Sequence, residues 1–125
     1  MRRKLDPHAL PQLQIRIQLG GKARFGPGKA QLLEAIRDTG SIAAAGQSMA
    51  MSYKRAWSLV EEMNRLFAAP LVISTRGGTK GGGADLTENG TLILQHYRAV
   101  ETTSRQSAAA HVGAIQAALA APVAS

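Results

Sequence analysis

The sequence contains no cysteine, which excludes disulfide bridges, thiolate metal sites and a cysteine nucleophile. Aromatic residues make up only 4% of the 125 residues, which argues against a surface that stacks single-stranded bases. There is no run of 18 apolar residues, so we predict no membrane-spanning segment. The basic first residues precede no apolar stretch, so we expect no secretory signal and a cytoplasmic location. The length fits one domain, or one domain with a tail.

Acidic residues are also scarce. Lys and Arg number 15 against 8 Asp and Glu, which gives a net charge of +7 and a pI of about 10.6. The excess is uneven, because most basic residues precede Gly81 and no Lys, Arg, Asp or Glu follows Arg105. Such asymmetry favours one face for a polyanion, with nucleic acid ahead of a membrane surface, and a separate segment for protein contacts.

No arrangement of residues typical of an enzyme is present. The chain has neither a phosphate-binding Walker motif nor a dinucleotide-binding glycine motif. Its histidines, at positions 8, 96 and 111, are scattered and lack the spacing of metal ligands. The paired Glu61 and Glu62 are interpreted as a solvated helix face. We therefore predict that the protein is not an enzyme and holds no metal and no cofactor.

The chain begins with a predicted strand and a helix. Apolar and polar residues alternate over residues 13–19, which indicates a strand with one buried face, and Gly20-Gly21 ends it. Pro27 suits the first position of a helix, and Gly40 suits its end. Leu32, Leu33 and Ile36 form the apolar stripe of that helix.

Two capped helices follow at close spacing. Ser41 and Ser52 can each accept a hydrogen bond from a first-turn N–H group. The small Ala45 and Gly46 would allow the helices to cross closely, with Met49 and Met51 filling the space beneath the turn. The second of these helices is predicted to bury the stripe Tyr53, Ala56, Val60, Met63 and Phe67, and to end before Pro70. This pattern is typical of a helix-turn-helix, although an ordinary helical pair in a core has the same spacing.

A hairpin is predicted after the helical pair. Residues 71–76 resemble a strand, GGTKGGG follows, and apolar residues return at Ala84 and Leu86. A nucleotide-phosphate cradle and a flexible linker are the alternatives. Helix, helix and hairpin with a basic tip together indicate a winged helix-turn-helix.

The last predicted helix begins at Thr87, which can cap it. Its stripe is predicted as Leu92, Ile93, Tyr97 and Val100, with Leu94 off that line. An alanine-rich continuation carries Val112, Ile115 and Leu119, with a break expected near Gly113 and an end at Pro122. The predicted fold class is mainly α with a small β-hairpin wing, followed by a long C-terminal dimerisation helix. We place the DNA-binding domain at residues 1–86 and the helical dimerisation segment at residues 87–125.

Particular segments carry a resemblance to known regulators, which covers about residues 10–105. GSIAAAGQSMAMSYKRAW, at residues 40–57, resembles the helix-turn-helix of LysR-type regulators. STRGGTKGGGADLTENG, at residues 74–90, resembles the wing and following helix of the molybdate-responsive ModE family, and MSYKRAW followed by EEMN matches its recognition helix. Molybdate-sensing members carry a separate C-terminal oxyanion-binding region, for which this sequence has no room. No residue is therefore assigned as a molybdate ligand.

The predicted DNA contacts lie on the recognition helix and the wing. Lys54 and Arg55 can pair with base edges in the major groove, and Arg76 and Lys80 can anchor the wing to the DNA backbone. Trp57 can either pack inward or face the groove. The complete predicted set is Ser52, Tyr53, Lys54, Arg55, Ser58, Arg76 and Lys80.

We predict a dimeric, sequence-specific transcription regulator that binds duplex DNA. The expected operator is an inverted repeat, because a two-fold dimer presents two recognition helices about 34 Å apart, or a multiple of that. Packing of the last helix onto its own subunit is the alternative to dimerisation. A non-specific architectural DNA-binding protein and a molybdate- or oxyanion-linked binding module are the rival functions. No membrane partner is predicted, and molybdate is expected to act only indirectly.

Overall fold

The computed structural model describes residues 13–77 and 81–120. Within these ranges the chain forms four helices and two antiparallel hairpins. The order is β1 (Ile17–Gly20), β2 (Ala23–Phe25), α1 (Pro27–Thr39), α2 (Ile42–Ser48), α3 (Tyr53–Leu66), β3 (Val72–Gly77), β4 (Gly81–Leu86) and α4 (Glu88–Ala117). This order confirms the predicted fold class of a mainly α protein with a small hairpin wing and a long last helix.

The predicted helix boundaries are confirmed by their capping residues. The hydroxyls of Ser41, Ser52 and Thr87 each accept a hydrogen bond from a first-turn backbone N–H of α2, α3 and α4. Pro27 is the first residue of α1. Gly40 ends α1 in the left-handed conformation, with φ of 71°, and its N–H donates to the Ile36 carbonyl at 2.8 Å.

The core lies where α1 meets α2, α3, the wing and the first half of α4. Its largest fully buried side chains are Leu32, Leu33, Ile36, Met63 and Leu71. Phe25 joins the first hairpin to this core, because its ring packs edge-on against Tyr97 with centroids 5.1 Å apart. The first hairpin is thereby attached to α4.

The predicted strand over residues 13–19 is only partly confirmed. The strand itself begins at Ile17, and it pairs with a second strand, β2, that the sequence pattern does not indicate. Gly20 and Gly21 both have positive φ, which the tight turn between the strands requires. Leu19 is 50% exposed, because the sheet has two strands and leaves this position in solvent.

The predicted apolar stripe of α4 is only partly confirmed, because Tyr97 is buried and Ile93 packs against the core, whereas its other two members are exposed. Its core face is formed by Gly90, Leu94, Tyr97 and Glu101, while Leu92 and Val100 are 44% and 37% exposed. Leu94, which the predicted stripe leaves out, is buried. The expected break near Gly113 is wrong, because α4 continues to Ala117. Pro122 lies outside the described residues.

One member of the predicted stripe of α3 also lies elsewhere. Ala56, Val60 and Met63 are buried as expected, but Tyr53 is 57% exposed. Tyr53 is the first residue of the helix, so its side chain extends beyond the elements that cover the later turns.

Candidate nucleic-acid interface

The turn between α2 and α3 is closed by backbone hydrogen bonds and close packing. The N–H groups of Met49 and Met51 donate to the Gly46 carbonyl at 3.1 and 2.9 Å. A Cβ atom on Gly46 would lie 3.0 Å from that of Ala56, so the crossing requires small residues, as the sequence suggested. Ala50 has φ of 55°, an uncommon value for alanine that no local sequence signal indicates. The tight turn sets the angle at which α3 leaves the core.

The outer face of α3 is polar and basic. Successive residues of a helix are rotated by about 100°, so Lys54, Ser58 and Arg65 lie opposite the buried Ala56 and Met63. All three of these outward residues are exposed. Arg65 is absent from the predicted contact set, although its spacing of seven from Ser58 places it on the same face.

The remaining predicted residues of α3 surround this outer face. The Ser52 hydroxyl accepts from the Arg55 backbone N–H at 3.0 Å, so its first role is as a helix cap. The side chain of Arg55 is exposed and lies on the flank that faces the first hairpin. Trp57 is 46% exposed, so it is not a core residue. Together with Tyr53, Trp57 forms an aromatic border on the other flank of the helix.

The wing is attached to α3 through Asn64. The Asn64 side-chain oxygen accepts from the backbone N–H groups of Leu71 and Val72 at 2.8 and 3.1 Å, and its side-chain nitrogen donates to the Val72 carbonyl at 3.0 Å. These three bonds fix the start of β3 beside α3. In the sequence, Asn64 stands out only as the last residue of the EEMN segment.

The wing itself is a six-residue antiparallel ladder that extends from Val72 opposite Leu86 to Gly77 opposite Gly81. Arg76 pairs with Gly82 near its outer end, so the backbone of Arg76 lies close to the tip. Lys80, the other predicted wing contact, lies outside the described residues.

The base of the wing contacts the end of α1. The Ala84 N–H donates to the Gly40 carbonyl at 2.9 Å, and a Cβ atom on Gly83 would lie 2.8 Å from that carbonyl oxygen. Gly83 is therefore required for close packing, a role that the glycine-rich sequence of the wing does not indicate. This contact joins the wing to the residue that precedes the helix-turn-helix.

The first half of α4 is held to α1 by a charged cluster. Arg98 pairs with Glu34 of α1 and, at 2.6 Å, with the buried Glu101. Burial lowers the pKa of Arg98, but hydrogen bonds to Glu34 and Glu101 outweigh it and raise the pKa above its usual value. Arg105 also reaches Glu101, at 3.5 Å, so the buried carboxylate has two guanidinium partners.

Tyr97 connects α4 to the segment before β1. Its hydroxyl donates to the Ile15 carbonyl at 2.5 Å, and its ring packs against Phe25. Burial raises the pKa of Tyr97, and the neighbouring Glu101 adds to the effect. The phenol therefore stays protonated at neutral pH and can act as a donor.

Two further observations concern residues 13–77 and 81–120. Over these ranges no three His, Asp or Glu side chains come together in a way that could hold a metal ion. Over the same part of the chain, no helix has the length and apolar character needed to cross a bilayer.

A capped helix pair with an exposed basic second helix, followed by a hairpin fixed beside it, defines a winged helix-turn-helix DNA-binding protein. The chain matches the family described as "Bacterial regulatory helix-turn-helix protein, lysR family" over residues 28–91. It therefore belongs to this family of bacterial regulators.

Several curated relatives are similar to this chain. It is 48% identical over 79 residues to the molybdenum-pterin-binding protein MopB of Rhodobacter capsulatus, and 45% identical over 73 residues to the molybdenum transport protein ModE of Azotobacter vinelandii. It is 36% identical over 86 residues to the DNA-binding transcriptional dual regulator ModE of Escherichia coli K12. These matches cover 63%, 58% and 69% of this chain, but 29%, 27% and 33% of the relatives. The matched part of the chain thus spans between about a quarter and a third of the length of each relative.

Proposed function

We propose that this chain recognises specific duplex DNA sequences by inserting α3 into the major groove, as part of a transcription regulator. The observation that carries the proposal is the exposed face of Lys54 and Ser58, set between the aromatic border and the flank of Arg55. A lysine or arginine at this end of a recognition helix can donate to guanine O6 and N7. Bacterial chromosomal DNA is cytoplasmic, so the proposal includes a cytoplasmic location.

Each predicted contact residue has a distinct proposed role. Lys54 and Arg55 read base edges, and Ser58 makes a polar contact one turn further along. Ser52 and Tyr53 contact the DNA backbone at the helix start. Arg76 and Lys80 anchor the wing to the neighbouring backbone or minor groove, as positive residues of wings can do.

We propose that the functional unit is a homodimer, with DNA binding in residues 1–86 and self-association in residues 87–125. Ile115 and Leu119 are each 70% exposed, and apolar side chains in such positions favour burial against a second copy. The corresponding operator is an inverted repeat. Two of the relatives have names that refer to molybdenum, and for this chain we propose only an indirect link to molybdate and no catalytic role.

Selection of bound sites from random duplexes, followed by binding titrations at fixed salt, tests the function. We expect the selected site to bind at least about a thousandfold more tightly than a random duplex, as specific regulators do. Lys54→Ala should cost about 1–3 kcal/mol on the selected site and relax the preference at one base pair. Arg37→Ala, at the end of α1, removes a positive charge away from α3 and serves as the control.

The rival function is non-specific architectural binding. A preference below about tenfold over random DNA, with equal losses for Lys54→Ala on both duplexes, would contradict sequence recognition and support this rival.

A further inference from the structure

A basic groove lies between the first hairpin, the start of α1 and the flank of α3. Its volume is about 370 Å³, and four of its lining residues are basic while one is acidic. The basic residues are Arg16 of the segment leading into β1, Arg24 of β2, Lys29 of α1 and Arg55 of α3, and the acidic residue is Glu62. Of these side chains, only Arg55 is among the predicted DNA contacts of α3 and the wing. We name this cavity the hairpin groove.

One positive charge of the hairpin groove is neutralised within the protein. Lys29 Nζ lies 2.6 Å from a carboxylate oxygen of Glu62 and donates to the Arg24 carbonyl at 2.7 Å. The hydrogen bond from Lys29 lowers the pKa of Glu62, although partial burial opposes this, so the carboxylate is ionised at neutral pH.

The three arginines of the groove remain available to a ligand. Arg16, Arg24 and Arg55 are exposed, and none has a carboxylate within 4 Å among residues 13–77 and 81–120. Guanidinium groups that converge on a cavity are suited to a phosphate, which they can bind with paired N–H donors. The first turn of α1 borders the same cavity and has no side-chain cap, so its amides add positive potential there.

The groove lies along one flank of α3. Arg55, Leu59 and Glu62 follow one flank of α3 at spacings of four and three, and all three line the groove. Asn64, which holds β3, lies on the opposite flank. The outward face of α3, with Lys54 and Ser58, therefore lies between two hairpins, one of which is the wing.

We propose that the first hairpin is a second DNA-contacting arm, in which Arg16 and Arg24 bind a backbone phosphate of the duplex beside the major groove that Arg55 reads. The inference rests on the proposed placement of α3 in that groove. When the outward face of α3 lies in the major groove, the backbones of the two DNA strands lie beside the two flanks of α3. The wing then contacts the backbone on one side, and the hairpin groove contacts it on the other.

The salt dependence of duplex binding tests the second arm with the full chain. Each phosphate contact contributes about 0.9 to the slope of log K against log salt concentration. We expect the double variant Arg16→Gln and Arg24→Gln to reduce the slope by about 0.9, the contribution of one phosphate contact, equally on the selected site and on random duplex. Arg16→Lys with Arg24→Lys keeps the charges and should restore most of the slope. Arg37→Gln, an exposed arginine outside the groove, should leave it unchanged.

A second variant is expected to strengthen DNA binding by the same groove. Glu62→Gln removes its single acidic residue and releases Lys29 from the ion pair, so duplex affinity should rise several-fold and the slope should increase by up to about one. Melting temperatures recorded for every variant verify that exposed substitutions have left the fold intact.

The outcomes separate this inference from the proposed function. If wild-type protein binds duplex and Lys54→Ala weakens it, but the double glutamine variant keeps the wild-type slope, the second arm is wrong and the function stands. If wild-type protein binds no duplex, both fail. Calorimetry of the DNA-free protein with inorganic phosphate and with molybdate tests a third outcome. If the protein binds either anion tightly, the double glutamine variant abolishes this binding and the salt slope for DNA is unchanged, the groove binds a small oxyanion instead of DNA.

Discussion

Gly90 shows how a single residue can determine where a helix docks. It lies in the first turn of α4, and a Cβ atom at this position would overlap the carbonyl oxygen of Leu71. The Thr87 N–H donates to the same carbonyl at 2.9 Å. The start of α4 is therefore packed directly on the backbone that leads into β3, and a larger residue would push the two apart.

Replacing Gly90 with alanine should destabilise the protein by about 3 kcal/mol, because neither the helix nor the Leu71 backbone can move freely. Gly113→Ala is the matched control within the same helix, since a Cβ atom added there would have no neighbour within 4 Å. It should instead stabilise the helix by about 0.5–1 kcal/mol through the higher helix propensity of alanine. Chemical denaturation of both variants provides the measurement, and equal effects of the two would contradict the packing role of Gly90.

The sequence was most informative about individual residues whose role is local. Ser41, Ser52 and Thr87 can be identified as caps because the cap acts on N–H groups three residues away. Gly83 and Gly90 could not be understood in this way, because their neighbours, Gly40 and Leu71, are distant in the chain. Packing contacts of this kind are properties of the folded protein and leave no local pattern.

Among the helices, α4 was the least well predicted. Its buried face follows Gly90, Leu94, Tyr97 and Glu101, with spacings of four, three and four. The face begins with a glycine and ends with a carboxylate, so a pattern based on apolar residues identifies only part of it. Burial of Glu101 is possible because Arg98 and Arg105 both pair with it, and this compensation requires the folded arrangement.

The coupling of α3 to the wing depends on Asn64. Asn64→Ala removes three hydrogen bonds and leaves the backbone groups of Leu71 and Val72 without that partner, so we expect a loss of about 2–3 kcal/mol in the free energy of unfolding. Hydrogen exchange at the Leu71 and Val72 amides should accelerate at the same time.

Asn89→Ala offers a comparison for this variant. Asn89 makes a single exposed hydrogen bond, to the Ala69 carbonyl at 3.2 Å, so its removal should cost about 0.5 kcal/mol. Comparable losses for both variants, or unchanged exchange at Leu71 in Asn64→Ala, would show that Asn64 does not hold the wing.

At the scale of the whole molecule, the two ends of α4 have different surroundings. The helix has 30 residues and is about 45 Å long. Its first half packs into the core through Leu94 and Tyr97, whereas Ile115 near its end is 70% exposed. A helix with this exposed continuation is suited to pairing with a second copy, which is the basis of the proposed dimer.

Sedimentation equilibrium tests that dimer. Replacing Ile115 and Leu119 together with lysine should shift the protein from dimer to monomer at micromolar concentration, because charged groups oppose burial of this surface. The double variant Gln106→Lys and Gln116→Lys adds the same charge to exposed polar positions of α4 and should remain dimeric. A monomeric wild-type protein, or a dimer that survives the substitution of Ile115 and Leu119, would exclude association through this segment.

The sequence predicts more of the fold than of the proposed DNA-binding surface. Helix order, caps and the hairpin after α3 all follow from periodicity and turn chemistry, so the arrangement of α2, α3 and the wing was accessible. The hairpin groove was not, because Arg16, Arg24 and Arg55 are far apart in sequence and converge only when β2 lies beside α3. Isolated arginines separated by eight and thirty-one positions give no signal by themselves.

The hydrogen bond from the Ala84 N–H to the Gly40 carbonyl has a consequence for how this architecture can vary. This bond holds β4 beside the end of α1, just before α2 begins. The distance between α3 and this part of the wing is therefore set independently of the residues that connect β3 to β4. In the proposed complex, insertions or deletions between β3 and β4 would alter how far the wing extends along the duplex without altering the orientation of α3. Related sequences could thus change the proposed contact of the wing with DNA while leaving the proposed contact of α3 unchanged.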